Sequence, residues 1–317
     1  MLIGIDLGGT NIAAGIVDLY GEIKHLKSIP TNSERGYEAI VRDIVKLVFE
    51  LCDEYGIDKS EIKSIGIGIP GIADKKGNVI SCVNLNWNDV PLKIDLEEYF
   101  KIPVFVDNDA TVAALAEFEC GVMKGAESGV LLTLGTGIGG GIVLNGEVYS
   151  GFNGVGSEIG HMVIGENFYD CNCGKNGCFE TFASSTAIIK YSKKLLEETN
   201  EASLLKDEIK GDFTKLNAKL IFDFAQKGDK LALNAVTRLI KYLGIGIGNI
   251  ITIMDPEIIA IGGGISNAGE YLLNLVREEV EKNKNFKNMP IGRIELAKLR
   301  NNAGIIGAAM IGKHGIR

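Results

Sequence analysis

The chain has 317 residues, 46% of them hydrophobic and 23% charged, with only 6 prolines; this composition excludes a disordered or low-complexity protein and is long enough for two compact domains. Its 41 acidic and 33 basic side chains leave a formal charge of -8, which repels nucleic acid and anionic membrane surfaces and makes neither an expected partner. Met1 leads directly into Leu2-Ile3-Gly4-Ile5-Asp6 without the pattern of a secretory signal, and no apolar run approaches the ~18 residues that span a bilayer, so a cytoplasmic location is expected.

Leu2 to Leu7 reads as a strand, Gly8-Gly9-Thr10 as a turn, and Ile12 to Val17 as a returning strand before the turn at Asp18-Leu19-Tyr20-Gly21. A third strand is expected at Glu22 to Ile29. Ile40, Ile44, Leu47, Val48 and Leu51 recur at helical spacing within Glu34 to Tyr55. Ser64 to Ile69 is a buried strand ending at Pro70-Gly71. Pro103 to Val106 then leads through Asp107-Asn108-Asp109 into the alanine-rich helix Ala110 to Glu119, a junction with two candidate N-caps. A second round opens at Val130 to Leu134, turns at Gly135-Thr136-Gly137 and returns along Gly139 to Leu144 to the hairpin signal Asn145-Gly146. A polar loop spans Gly165 to Gly177. Helices are expected over Ala183 to Leu196, Ala218 to Gln226 and Leu231 to Met254, the last stopped by Pro256. A strand at Ile258 to Ile261 opens onto Gly262-Gly263-Gly264, followed by a helix over Ala268 to Glu281, a strand near Ile294 and a final helix from about Asn302. Two similar rounds of mixed strands and helices predict a duplicated α/β fold.

Gly8-Gly9-Thr10 and Gly135-Thr136-Gly137 each follow a buried strand, and such turns let backbone N–H groups and a threonine hydroxyl approach phosphate oxygens. Asp6 at the end of the first strand is placed to hold Mg²⁺ through water. Two spacings, Gly135-x-Gly137-x-x-Gly140 and Gly66-x-Gly68-x-x-Gly71, imitate the dinucleotide fingerprint but lack the following helix it requires. Gly263 and Gly264 do lie between a strand and a helix, where bare backbone suits an adenosine or merely close packing. Asp109 is the candidate acceptor of a hydroxyl proton in phosphoryl transfer; plain N-capping is the alternative reading of both Asn108 and Asp109.

The most specific stretch is Gly151 to His161 followed by Cys171-Asn-Cys173-Gly-Lys-Asn-Gly-Cys178-Phe-Glu180. With the Asp6-x-Gly-Gly-Thr10 turn, Gly68-Ile-Pro-Gly71, Val106-Asp-Asn-Asp-Ala110, Leu134-Gly-Thr-Gly-Ile-Gly-Gly140, Glu158-Ile-Gly-His161 and Ile261-Gly-Gly-Gly264, it resembles the ROK family of repressors and sugar kinases over essentially the whole chain, and within it the bacterial glucokinases. The resemblance implies a duplicated actin-like ATPase fold of the ribonuclease H-like type, with the active site in a cleft between two lobes. It implies a smaller lobe over residues 1–117 to which the last helix, residues 302–317, returns, and a larger lobe over 118–301.

It further implies ATP-dependent phosphorylation of a hexose, glucose first, with Asp109 as base on the 6-hydroxyl and Asn108 on a neighbouring hydroxyl. Glu158, His161 and Glu180 would hold the C1 and C2 end of the ring, with backbone contact from Gly71. ATP would be held by Asp6, Gly8, Gly9, Thr10, Asn11, Thr136, Gly137, Gly263 and Gly264, with Mg²⁺. On this basis Gly137→Val is expected to weaken ATP binding far more than sugar binding. Other hexoses, N-acetylhexosamines and a sugar-sensing regulator remain alternatives, and the family is commonly dimeric. The chain departs from the family pattern at Gly156-Ser157, where many relatives carry Ala-Gly, and at Asn11, often Lys.

Cys171, Cys173, Cys178 and His161 supply three thiols and one imidazole, the ligand set of a closed tetrahedral zinc site. Free cytoplasmic thiols with an unrelated histidine are the alternative. In the metal reading, zinc shapes the sugar site and takes no part in the chemistry, and the second ring nitrogen of His161 stays available to a hydroxyl.

Overall fold

The computed structural model describes residues 1–199 and 201–316. The chain divides into two compact units, residues 1–131, 141–157 and Ala297 onward in the first and residues 132–140 and 158–296 in the second. The first unit therefore runs past residue 117 and takes in the segment 141–157.

In the first unit, β1 (Leu2–Leu7), β2 (Asn11–Val17) and β3 (Ile23–Pro30) form an antiparallel meander. Helix α1 (Tyr37–Tyr55) buries Ile40, Ile44, Leu47, Val48 and Leu51, the stripe that the helical spacing picks out. It starts three residues later than expected because Gly36, at φ 82°, separates it from a short 3₁₀ turn at Ser33–Arg35. Strand β4 (Ile65–Ile69) is buried throughout. A small antiparallel sheet of β5 (Ile72–Ala73), β6 (Val79–Cys82) and β7 (Trp87–Val90) follows, then α2 (Leu92–Phe100), β8 (Val104–Asn108) and α3 (Asp109–Cys120). The main sheet has the order β3-β2-β1-β4-β8, with β4 parallel to both β1 and β8.

The second round comprises β9 (Ser128–Leu134), β10 (Ile138–Leu144) and β11 (Glu147–Val148), then α4 (Glu180–Ala183), α5 (Ser185–Glu198), α6 (Leu204–Ile209), α7 (Ala218–Gln226), α8 (Lys230–Met254), β12 (Ile258–Gly262), α9 (Glu270–Asn283) and β13 (Arg293–Leu296). Its sheet runs β11-β10-β9-β12-β13, the same order of hairpin and following strands as the first, which is the duplication expected from the paired turns. The helix expected over 183–196 is α5, which starts two residues later because α4 ends at Ala183 and the Ser184 Oγ accepts from the Ala187 N–H at 3.1 Å to cap α5. Helix α8 is long and apolar enough to cross a membrane by length and composition, but 44% of its most apolar window is buried within the protein. It ends at Asp255, in the left-handed conformation at φ 42°, one residue before Pro256.

The last helix, α10 (Ala303–Gly315), packs on β1, β4 and α3 in the first unit; the expected end at Arg317 lies outside the described residues. The backbones meet with nothing between them. A Cβ on Gly66 of β4 would overlap the Ala308 carbonyl oxygen, and one on Gly307 would overlap the Val112 carbonyl oxygen of α3. The segment leading into α10 is tied down by Glu117, whose side chain is fully buried in α3. One of its carboxylate oxygens accepts from the Val122 N–H at 2.8 Å and the other from the Leu299 N–H at 2.7 Å. Glu117→Ala leaves both donors unpaired and is expected to lower stability by about 2–5 kcal/mol, read as a lower urea midpoint, with Glu117→Gln recovering part of the loss. An unchanged midpoint in the alanine variant contradicts this anchoring role.

Candidate functional site

Within the first unit, Asp6 is the penultimate residue of β1, and burial pushes its carboxyl above the usual carboxylate range. The turn that follows is closed by the Gly8 N–H donating to the Asn11 carbonyl at 2.9 Å. Buried Thr31 braces it from behind: its hydroxyl donates to the Gly8 carbonyl at 2.6 Å and its N–H to the Thr10 carbonyl at 2.9 Å. Thr10 and Asn11 are left exposed.

Strands β4 and β8 end side by side. The Asn108 Oδ1 accepts from the N–H groups of Ala110 and Thr111 at 2.9 and 3.2 Å, so Asn108 is the N-cap of α3. Its Nδ2 donates to the Gly71 carbonyl at 3.1 Å, which joins two of the expected sugar-side residues. Asp109 opens the helix, with its Oδ1 accepting from the Ala110 N–H at 2.7 Å. Cys82 is close by. Burial raises its thiol pKa, and the charge of Asp109 adds to that shift. Asp107 precedes the pair; burial raises its carboxyl, while the Asn108 N–H at 2.7 Å and the Ser150 hydroxyl at 3.4 Å partly offset the effect.

Within the second unit, the turn after β9 repeats the first: the Gly135 N–H donates to the Gly137 carbonyl at 3.0 Å, and Thr136 is exposed. Gly263, at φ 82°, lies against the Leu134 backbone, where a Cβ would come within 2.6 Å of its main-chain atoms, so the third glycine run abuts the strand that carries the second turn. Gly264 follows it and is exposed. A Cβ on Gly137 would overlap Oε2 of Glu180. This corrects the expectation for Gly137→Val: the substitution displaces Glu180 as well as obstructing the turn, so it does not isolate phosphate binding.

Glu180 is the first residue of α4, and its Oε1 accepts from the Cys171 thiol at 2.9 Å. The ligand atoms of His161, Cys171, Cys173 and Cys178 all lie within 4.8 Å of one another. The His161 Nδ1 is 3.6 Å from the Cys171 sulfur, and the sulfurs of Cys173 and Cys178 are 3.5 Å apart. A tetrahedron with ~2.3 Å zinc–sulfur bonds has edges of about 3.8 Å, so the donor set and its spacing fit such an ion. The other ring nitrogen, Nε2, lies 4.0 Å from the Glu158 carboxylate.

The sequence matches the ROK family over residues 2–314. The chain belongs to the ROK family. Among its ROK relatives, a glucokinase of Halalkalibacterium halodurans is 40% identical over 313 residues, covering 98% of this chain and 94% of that protein. The solved structure of a ROK glucokinase from Streptomyces griseus in complex with glucose and AMPPNP has a TM-score of 0.83 and 33% identity, with 99% of each chain covered. A xylose repressor of Caldicellulosiruptor bescii is 30% identical over 96% of this chain, which spans 76% of that protein. The fold is that of the actin-like ATPase sugar kinases.

The ROK motifs leave out Asn84, which the structure brings to the first glycine turn. Asn84 lies against Gly9, its Cβ 3.2 Å from where a glycine Cβ would stand. Its only sequence signal is a run of polar residues around Trp87. Ser157, singled out in the sequence as a departure from the family pattern, adopts φ 79°, and its hydroxyl donates to the Tyr149 carbonyl at 2.7 Å.

Proposed function

We propose that this chain transfers the γ-phosphoryl group of ATP to the 6-hydroxyl of glucose. The observation that carries the reading is the near-full-length similarity to glucokinases, 40% identical over 98% of the chain. The protein is an ATP-dependent sugar kinase of the ROK family.

The two glycine turns, with Thr10 and Thr136 exposed on them, offer N–H and hydroxyl donors to the phosphates, and Gly263 and Gly264 offer bare backbone to the nucleoside. Asp6 would hold Mg²⁺ through water: a carboxylate penalised by burial gains from a cation, and the ion supplies charge neutralisation on the phosphates. Asp109 accepts the proton of the attacking hydroxyl. Asn108, with Gly71, holds a neighbouring hydroxyl. Glu158, His161 and Glu180 hold the other end of the sugar, through carboxylate oxygens and the His161 Nε2.

Zinc in the cluster of His161, Cys171, Cys173 and Cys178 would be structural, with all four positions taken by the protein. His161 would hold it through Nδ1, which would leave Nε2 beside Glu158, and the same loop carries Glu180 at its end. A cytoplasmic setting, where thiols stay reduced, suits this site.

Asp109→Asn is expected to lower kcat by about 10²–10⁴-fold while glucose and ATP affinities stay within about tenfold, because the amide keeps most of the hydrogen-bond geometry and cannot take the proton. Near-normal turnover in that variant removes Asp109 from the role of base. For the metal, elemental analysis of the purified, chelator-free protein is expected to find about one zinc per chain. Cys173→Ser should abolish that content and weaken glucose binding before ATP-analogue binding in calorimetric titrations. A zinc-free active protein, or unchanged glucose affinity after loss of the metal, contradicts it.

A further inference from the structure

Arg238 lies midway along α8, and its guanidinium sits among four aromatic rings. Its central carbon is 4.5 Å from the ring centre of Tyr191, 5.1 Å from those of Phe182 and Tyr242, and 5.8 Å from that of Phe168. Phe182 and Tyr242 stack on each other at 4.0 Å. The rings pin the planar cation by stacking and cation–π attraction, a fit that an ammonium cannot reproduce.

From this cage Nη2 donates to the Asn167 Oδ1 at 2.8 Å. That bond, with the Phe168 N–H donating to the same oxygen at 2.9 Å, holds the amide in one orientation. With Oδ1 turned to the cation, the Asn167 Nδ2 donates to the Thr181 carbonyl at 2.6 Å, a group that also accepts from the Tyr169 hydroxyl at 2.8 Å. Without the cation, Oδ1 loses one of its two donors, and the amide is held less firmly in the orientation that serves the Thr181 carbonyl. Thr181 immediately follows Glu180, and its own hydroxyl donates to the Cys178 carbonyl at 2.7 Å. The carbonyl just after the sugar-side carboxylate is thus held by two donors from residues 167–169, and Arg238 orients one of them.

We propose that Arg238 is a positioning residue for Glu180, acting through Asn167 and the Thr181 carbonyl to set the carboxylate that selects the sugar. The proposal rests on the reading of Glu180 as a sugar contact. Loss of the link leaves the phosphate turns, Asp6 and Asp109 as they are, so the effect falls on glucose rather than ATP.

The test is steady-state kinetics on Arg238→Met, Asn167→Leu and the double variant, with zinc content and thermal midpoint measured on each. Each single change is expected to raise the glucose KM about tenfold, with the ATP KM within about twofold and zinc retained. The double variant should be no worse than the singles, because both break one link. Asn167→Leu leaves Arg238 in its cage and carries the same expectation if Arg238→Met does not fold. Unchanged glucose KM in the single variants, or losses that add and fall equally on both substrates, overturns the proposal. Glu180→Gln, run in parallel, separates the two claims: if it raises the glucose KM and the Arg238 and Asn167 variants do not, only the positioning role fails. If it leaves glucose KM unchanged, the sugar contact itself is wrong and the proposal falls with it.

Discussion

Helix α10 lies on the strands and on α3 with no side chain between the backbones, and the first unit is organised around that contact. Gly66 and Gly307 are the points of touch, opposite the carbonyl oxygens of Ala308 and Val112. A single methyl group at either point would force the elements apart, in an interior that packs at crystal-like density. Because α3 is held against α10, and α10 against β1 and β4, the positions of Asp6 near the end of β1 and of Asp109 at the start of α3 are set by main-chain contact rather than by adjustable side chains. Proton abstraction beside a metal-bound phosphate, as proposed for Asp109 and Asp6, needs such placement, since small errors in geometry cost large factors in rate. Glu117 extends the same constraint to the segment entering α10.

The second unit solves a different problem. The segment 162–179 is largely irregular, with few ladder bonds of its own. Its order comes instead from the clustered thiols and His161 and from the aromatic and amide contacts of Arg238. Asn176 ties the middle, its side chain bonding to Asn167 and to Asp170. A loop held in this way can present Glu158, His161 and Glu180 with little conformational freedom left to lose on binding.

Much of this was legible in the sequence because each signal was local. The stripe of α1, the buried strands before the two glycine turns and the cysteine spacing all reside within about 20 consecutive residues, and the repeated turn announced the duplicated sheets. The small sheet of β5, β6 and β7 was not legible: its strands are two to four residues long, and Asp89 at φ 50° interrupts any alternation. Nor was α4, whose four residues are too few to show a helical period before the Ser184 hydroxyl caps α5. The partnership of Arg238 with Asn167 crosses 71 residues and has no signature in either neighbourhood. The same limit hides the contact between Gly137 and Glu180, which are far apart in the sequence.

The account stands on one reaction, so the direct measurement is of its products. Purified chain with Mg-ATP and glucose, followed by ³¹P NMR, should form ADP and glucose 6-phosphate in equal amounts, with no ADP accumulating when glucose is left out. ADP released at the same rate without sugar, or glucose bound with no phosphate ester formed, would contradict it.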